Sequence, residues 1–271
     1  MTEEHEYILG THAAELERLG FQHHVWVQHM LAVLDLANIR AGDVVLDVGC
    51  GPGFTSFELS HAVGPQGRVI ALDVSERFLE NLRAACRLRA LTNVEPLLGT
   101  AEEFELPEGS LDAAYSRWVF CWLQRPEDAL RRVARTLRPG GVVVIQDYVD
   151  WGAKKLVPRS AEHDAVIAAC LESWRRGGGR IDIGEHLPGW AEQCGLRVEH
   201  FQPIARSGMG GSLVWRWLET FYRGYLPRLI EQNLLTQSAA DAFLATWERR
   251  ADDGISRVIT PTMVDIVLRK G

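Results

Sequence analysis

Val44-Val45-Leu46-Asp47-Val48-Gly49-Cys50-Gly51-Pro52-Gly53 is the stretch that decides the fold. Four of its first five residues are apolar, as expected for a strand of a parallel sheet covered on both faces. It runs straight into a glycine-rich turn. Gly49, Gly51 and Gly53 let the backbone bend sharply and approach a ligand with no Cβ in the way, and Pro52 stiffens the turn. About twenty residues later a second apolar run, Val69-Ile70-Ala71-Leu72, ends in Asp73. A strand, an open turn and an acid at the tip of the next strand are how an α/β domain grips a nucleoside. A dinucleotide fingerprint needs glycine at the first, third and sixth positions of such a turn. The sixth position here is Phe54, which argues against a nicotinamide dinucleotide.

Working outward, the hydrophobic pattern alternates strand and helix. Strands are predicted at 44–48, 68–73, 94–98, 111–116 and 141–147, with helices at about 54–62, 75–90 and 126–138. Alternation at this spacing implies a parallel sheet with right-handed crossovers. Upstream, Leu16, Leu19, Trp26, Met30, Leu31 and Leu34 recur at helical spacing, so 12–36 is predicted helical. Downstream the rhythm changes: helices over 160–176, 187–194, 212–232 and 236–251, a strand over 196–204 and a last strand over 256–268. Three segments are expected: an N-terminal helical cap over 1–40, a cofactor-binding core over 41–150, and residues 151–271. The last completes the sheet and carries a helical insertion over about 207–255.

Composition narrows the class. The 271 residues are 46% hydrophobic and 24% charged, which fits a soluble protein with a large core. A net charge of −7 argues against a nucleic-acid substrate, since phosphate binding needs clustered Lys and Arg. The five cysteines are odd in number and contain no C-x-x-C, so a disulfide framework or zinc site is not expected and a cytoplasmic location is. His23-His24 and His29 offer no convincing ligand set, and no metal is expected. The N-terminus is acidic and polar rather than a signal peptide. No apolar run approaches membrane-spanning length. Nothing in the sequence sets the oligomeric state.

The run Asp47 to Gly53 resembles the D-x-G-x-G-x-G motif of class I S-adenosylmethionine-dependent methyltransferases, and Tyr7-Ile8-Leu9-Gly10, Glu15-Leu16-Glu17-Arg18-Leu19 and Gln22-His23 resemble the cap helix of their bacterial branch with small-molecule acceptors. Three further motifs follow in the family's order. Gly99-Thr100-Ala101-Glu102 stands where members commonly show Gly-Asp-Ala, Ser116-Arg117-Trp118 follows the fourth strand, and Leu137-Arg138-Pro139-Gly140-Gly141 precedes the fifth. The resemblance covers residues 40–148. It implies a Rossmann-like fold with a seven-stranded, mostly parallel sheet and helices on both faces. It also implies S-adenosylmethionine as cofactor, with S-adenosylhomocysteine as product.

Site residues follow from the same resemblance. Asp73 would accept both ribose hydroxyls, with Val74 beside it; the alternative is an acid favourable to the dipole of the following helix. Asp47 would meet the ammonium, and Gly49, Gly51 and Gly53 the amino-acid end. Thr55 can cap the helix after the turn. Thr100 replaces the acid that reaches the adenine amino group, leaving its hydroxyl, Ala101 or Glu102 for that contact. Ser116 and Arg117 would run along the methionine part. Tyr7 and Gln22 would touch the cofactor's amino-acid end, or else belong to ordinary helix packing.

No constellation names a catalytic base. Asp147 and Tyr148, at the carboxyl end of the fifth strand, are the candidates, with His24, His23 and His186 as alternatives and Asp147 equally readable as structural. Trp118, Trp215, Tyr222 and Tyr225 are candidates to wall an apolar pocket, or to pack the insertion onto the core. The Asn/Asp-Pro-Pro-Tyr/Phe motif is absent, which counts against DNA adenine and release-factor glutamine substrates. The expected function is methyl transfer to O, N or C of a small, apolar or aromatic metabolite. The alternative is a protein of this fold that binds the cofactor without transferring methyl, as a regulator or a non-methylating catalyst.

Overall fold

The computed structural model describes residues 13–271. The first helix, α1 (Ala13–Leu36), places Val25, Trp26, Met30, Val33 and Leu34 on one buried face. Each such side chain contributes up to about 1.5–3 kcal/mol on burial, an upper estimate. The expected alternation follows: β1 (Val44–Val48), α2 (Phe54–Val63), β2 (Arg68–Asp73), α3 (Glu76–Leu88), β3 (Val94–Leu98), β4 (Leu111–Arg117), α4 (Pro126–Thr136) and β5 (Leu137–Asp150).

After β5 come β6 (Lys155–Val157), α5 (Ala161–Gly177), α6 (Ile183–Gln193), β7 (Leu196–Ile204) and β8 (Ser207–Met209). The chain ends with α7 (Leu213–Glu231), α8 (Gln237–Ala251), β9 (Arg257–Ile259) and β10 (Thr262–Lys270).

Seven strands form one sheet in the order β3-β2-β1-β4-β5-β10-β7. The pairs β1–β2, β1–β4, β2–β3 and β4–β5 are parallel. Chain order reverses between β1 and β4, so the carboxyl ends of these two strands flank the crevice where such sheets bind ligands. Asp47 pairs in register with Ala71 and Tyr115, which sets it in the centre of the sheet.

One expectation is corrected. The predicted last strand, 256–268, is two strands in two sheets: β9 lies in a separate three-stranded sheet, β6-β9-β8, and β10 joins the large one. Thr260-Pro261 separates them, and proline lacks the N–H that would continue a ladder. Two compact units emerge: residues up to Asp147 with Glu185–Gln202 and Val264–Gly271, and a second of Tyr148–Gly184 with Pro203–Met263. The helical insertion thus shares its unit with the segment after β5, because β9 pairs with both β6 and β8. Among the described residues, no helix is long and apolar enough to cross a membrane.

Candidate functional site

The glycine turn joins β1 to α2. Gly49, Gly51 and Gly53 have φ of 67°, 55° and 96°, the left-handed region that favours glycine. A Cβ at Gly49 would lie 2.4 Å from Val119 Cγ2, and one at Gly53 2.2 Å from Leu82 Cδ1. At both positions the positive φ favours glycine, and a Cβ would also press on a neighbouring side chain. At Gly51 nothing lies within 4 Å, so this position borders open space. Gly53 caps α2 without a side-chain hydrogen bond, leaving the N–H groups of the first turn without a side-chain acceptor. Thr55 does not cap the helix. Its Oγ1 donates to Asp47 Oδ2 at 2.6 Å, as does Ser56 Oγ at 2.6 Å.

Two acids flank this turn. Asp47 is 1% exposed, and burial pushes its carboxyl up to about 6 against the hydroxyls of Ser56 and Thr55 and the charge of Arg117, which favour ionisation. Asp73 accepts the Gly51 N–H at Oδ2 (2.8 Å) and the Ser75 N–H at Oδ1 (2.9 Å). Burial raises it as well, opposed by these backbone donors. Each oxygen keeps a second lone pair for a ligand hydroxyl. Ser75, rather than Asp73, caps α3, accepting from the Phe78 N–H. Val74, beside Asp73, is 45% exposed. Two acids that burial makes reluctant to ionise suit a cationic ligand, whose charge would restore both to the carboxylate form.

The loop after β3 is fastened from two sides. The Gly99 N–H donates to the Asp73 carbonyl at 3.0 Å. Arg132 of α4, which sequence patterning did not single out, donates from Nε to the Glu102 carbonyl (2.8 Å) and from Nη1 to the Phe104 carbonyl (2.9 Å). Ala101 is buried and Glu102 half-buried. The Thr100 hydroxyl is buried with no hydrogen-bond partner.

At the end of β4, Ser116 donates weakly to the Val48 carbonyl at 3.4 Å. Arg117 Nη2 donates to His23 Nδ1 at 3.0 Å, and His23 Nε2 meets Glu58 Oε1 at 3.4 Å. Burial first, then the Arg117 charge, lowers His23 to about 4. The ring is therefore neutral with its proton on Nε2, both nitrogens are engaged, and it offers no lone pair to a substrate proton. Arg117 Nη1 is buried and unpartnered. Trp118 has φ of 55°, uncommon for a bulky residue, and its ring meets Trp26 edge-on at 5.8 Å.

The remaining candidates do not converge. Of the adjacent histidines, His24 is exposed and His23 faces the Arg117 side chain. The spacing Leu19, His23, Trp26, Met30 carried that signal, since it is one helix face. Gln22 accepts from Arg18 Nη1 at 3.1 Å; Tyr7 lies outside the described residues. Asp147 is 0% exposed and accepts the Cys121 N–H at 3.2 Å, a structural use.

Tyr148 belongs to the second unit and meets Trp174 edge-on. Trp215, Tyr222 and Tyr225, expected to wall a pocket, are 0%, 1% and 5% exposed in the core of that unit. Trp215 packs on Trp247 at 4.2 Å, Tyr222 on Phe243 at 5.0 Å, and Tyr225 bonds Ser173 at 2.9 Å. Among the described residues, no three His, Cys, Asp or Glu side chains gather as a metal site.

The first unit therefore presents a glycine turn open at Gly51, a buried and a half-buried acid, a stranded hydroxyl at Thr100 and a stranded guanidinium nitrogen at Arg117. S-adenosylmethionine matches this set: its ribose and cationic groups suit the acids, its purine the hydroxyl and its carboxylate the guanidinium.

Comparisons agree. Residues 46–145 match the family model described as a methyltransferase domain. A Streptomyces fradiae protein encoded in transposon TN4556 is 33% identical over 79% of this chain and 62% of its own. The demethylmenaquinone methyltransferase of Lactococcus lactis is 36% identical over 45% of this chain and 48% of its own. The chain thus spans less than two thirds of either relative's length. In fold, the structure of the cyclase SpnF superposes with a TM-score of 0.58 at 18% identity, over 90% of this chain and 80% of that one. Residues 46–145 are thus similar to a methyltransferase domain, and the site fits S-adenosylmethionine as cofactor.

Proposed function

We propose that this protein transfers the cofactor's methyl group to O, N or C of a small, planar or apolar metabolite. The observation that carries this reading is the pair of acids, buried Asp47 and half-buried Asp73, held against a glycine turn that is open at Gly51. When bound, the cofactor supplies a methyl group already activated by a sulfonium. Asp73 accepts from the ribose hydroxyls, and Asp47 faces the ammonium. Ser116 and Arg117 line the methionine part, with Gln22 toward its amino-acid end. Trp118, in its strained conformation beside Arg117, is the residue best placed to meet a planar acceptor.

Catalysis in this reading is mainly positioning, because holding acceptor and methyl in line at near-attack distance removes most of the barrier. No base is assigned: Asp147 is occupied by the Cys121 backbone and His23 is engaged at both nitrogens. Support for a planar acceptor comes from the Lactococcus lactis relative, whose name specifies demethylmenaquinone. The same lack of a free base supports a second reading, cofactor binding without methyl transfer, and a cyclase shares the fold.

The test is incubation with methyl-labelled S-adenosylmethionine and fractionated metabolite extracts, followed by mass detection of labelled product. Labelled product supports methyl transfer; tight cofactor binding with no labelled product favours the second reading. Asp73→Ala is expected to weaken cofactor binding at least about tenfold, since it removes charge-assisted hydrogen bonds. Unchanged affinity by calorimetry in a folded variant would reject the assigned ribose contact.

A further inference from the structure

The three-stranded sheet β6-β9-β8 of the second unit has two unlike faces. Residues opposite one another in an antiparallel pair share a face, and the faces alternate along each strand. Leu156, Val258 and Gly208 form the middle row, with Leu156 and Val258 buried. The rows on either side lie on the other face: Val157, Arg257 and Met209 in one, Lys155, Ile259 and Ser207 in the next. That face is open. Val157 is 44% and Met209 48% exposed, and Lys155, Arg257 and Ser207 are exposed as well. Its two rows hold cations, apolar side chains and a serine but no acid, in a chain whose net charge is −7.

Neither cation is paired with a carboxylate. Arg257 Nη1 donates to the Ser256 and Gly254 carbonyls, at 3.0 and 3.4 Å. Lys155 has no hydrogen-bond or ion-pair partner among the described residues. A groove of about 500 Å3 continues from Lys155 and Val157 along α5, where Ile167, Ala168 and Leu171 give it an apolar wall. The acid in its lining, Asp164, is held by Arg159 at 2.5 Å. Exposed apolar side chains interleaved with unpaired cations suit an anionic lipid surface: apolar tips enter the headgroup layer while the cations meet phosphates. Size points the same way. Two strand spacings by one two-residue step, with side-chain margins, cover about 200 Å2, against about 800 Å2 per partner for a stable protein interface. A bilayer sets no such threshold, because each cation and each inserted apolar group adds to binding separately.

We propose that the exposed face of the β6-β9-β8 sheet docks this protein on bilayers containing anionic phospholipid, with Val157 and Met209 in the headgroup layer and Lys155 and Arg257 on lipid phosphates. The docking is peripheral, and it is independent of what the first unit binds.

The test is co-sedimentation of the full chain with vesicles of phosphatidylcholine alone, or with about 30% phosphatidylglycerol added. The wild type is expected to bind the anionic vesicles at least about tenfold more tightly, and to lose most of that preference at about 0.5 M salt, where charges are screened. Lys155→Gln, which removes no hydrogen bond within the protein, is expected to weaken binding to anionic vesicles about fivefold, and together with Arg257→Gln about twentyfold. Met209→Ser weakens it about fivefold by removing an inserted apolar group. Arg83→Gln, the same charge change on α3 of the first unit, stays within about twofold of the wild type. Melting curves establish that each variant is folded. Equal binding of the wild type to both vesicles, or to neither, overturns the proposal. So does Lys155→Gln binding as tightly as Arg83→Gln. A wild type that self-associates in sedimentation velocity, with Met209→Ser monomeric and its vesicle binding unchanged, would give this face to a second copy of the chain and overturn it as well.

Discussion

His23 stays neutral because its ring is buried with the Arg117 guanidinium on one nitrogen and Glu58 on the other. Its folded value, about 4, lies below the usual histidine value of 6.5. The unfolded chain therefore binds a proton that the folded chain refuses. Stability from this group is complete above pH 6.5 and is lost as the pH falls toward 4. His163, lowered to about 4 chiefly by burial, acts in the same direction within the second unit. Each contributes at most about 3 kcal/mol of acid lability. His23→Gln is expected to flatten the stability profile between pH 6.5 and 4 relative to the wild type. Denaturant unfolding at stepped pH checks this; parallel profiles for the two proteins would exclude it. His24, one residue on, has no such environment because it points to solvent.

At the scale of elements, the β1–α2 turn separates two uses of glycine that the sequence writes identically. Gly53 is needed for its φ and because a Cβ there meets Leu82. Gly51 shares the left-handed backbone but faces open space. Gly53→Ala is expected to cost several kcal/mol, through strain added to a clash in a packed core. Gly51→Ala should cost only about 1 kcal/mol of stability, the left-handed penalty for a Cβ, yet block the cofactor by filling the space above the turn. Melting temperatures and cofactor calorimetry on both variants distinguish these outcomes. Wild-type cofactor affinity in Gly51→Ala would show that the opening is not the binding surface.

On the scale of the whole molecule, the two units have different internal chemistry. The second is held by aromatic packing around a buried lysine. Lys154 is 2% exposed, its Nζ 3.3 Å from the centre of the Trp151 ring, 4.5 Å from Phe221 and 5.0 Å from Tyr222. Burial lowers this ammonium from 10.5 to about 7. The unfolded chain holds the proton more tightly throughout that window, so the lysine costs stability increasingly as pH falls from 10.5 toward 7. Contacts to three rings return about 0.5–2 kcal/mol each and offset part of the cost. Lys154→Met, with similar bulk and no charge, is expected to raise the melting temperature at pH 7 by a few degrees, about 2–4 °C. The gain should shrink toward pH 10. Calorimetric melts at both pH values check this, and a lower melting temperature for the variant at pH 7 would show that the ring contacts outweigh burial.

The sequence by itself determined the five parallel strands, the glycine turn and the two acids at its sides. Each depends on contiguous residues: apolar runs for buried strands, glycines for positive φ, a short spacing from Gly53 to Asp73. The structure alone decided what depends on residues far apart in the chain. Pairing of β9 with β6 and β8 divided the last predicted strand between two sheets. Thr55 turned from capping α2 to bonding Asp47, because a buried carboxylate competes better for a hydroxyl than a helix end does. The aromatic helices became the core of the second unit, since α5 and α8 cover the side of α7 that helical periodicity could mark only as apolar. Orphaned atoms such as Thr100 Oγ1 have no sequence signature at all, because a missing partner is a property of three-dimensional neighbourhood and not of residue order.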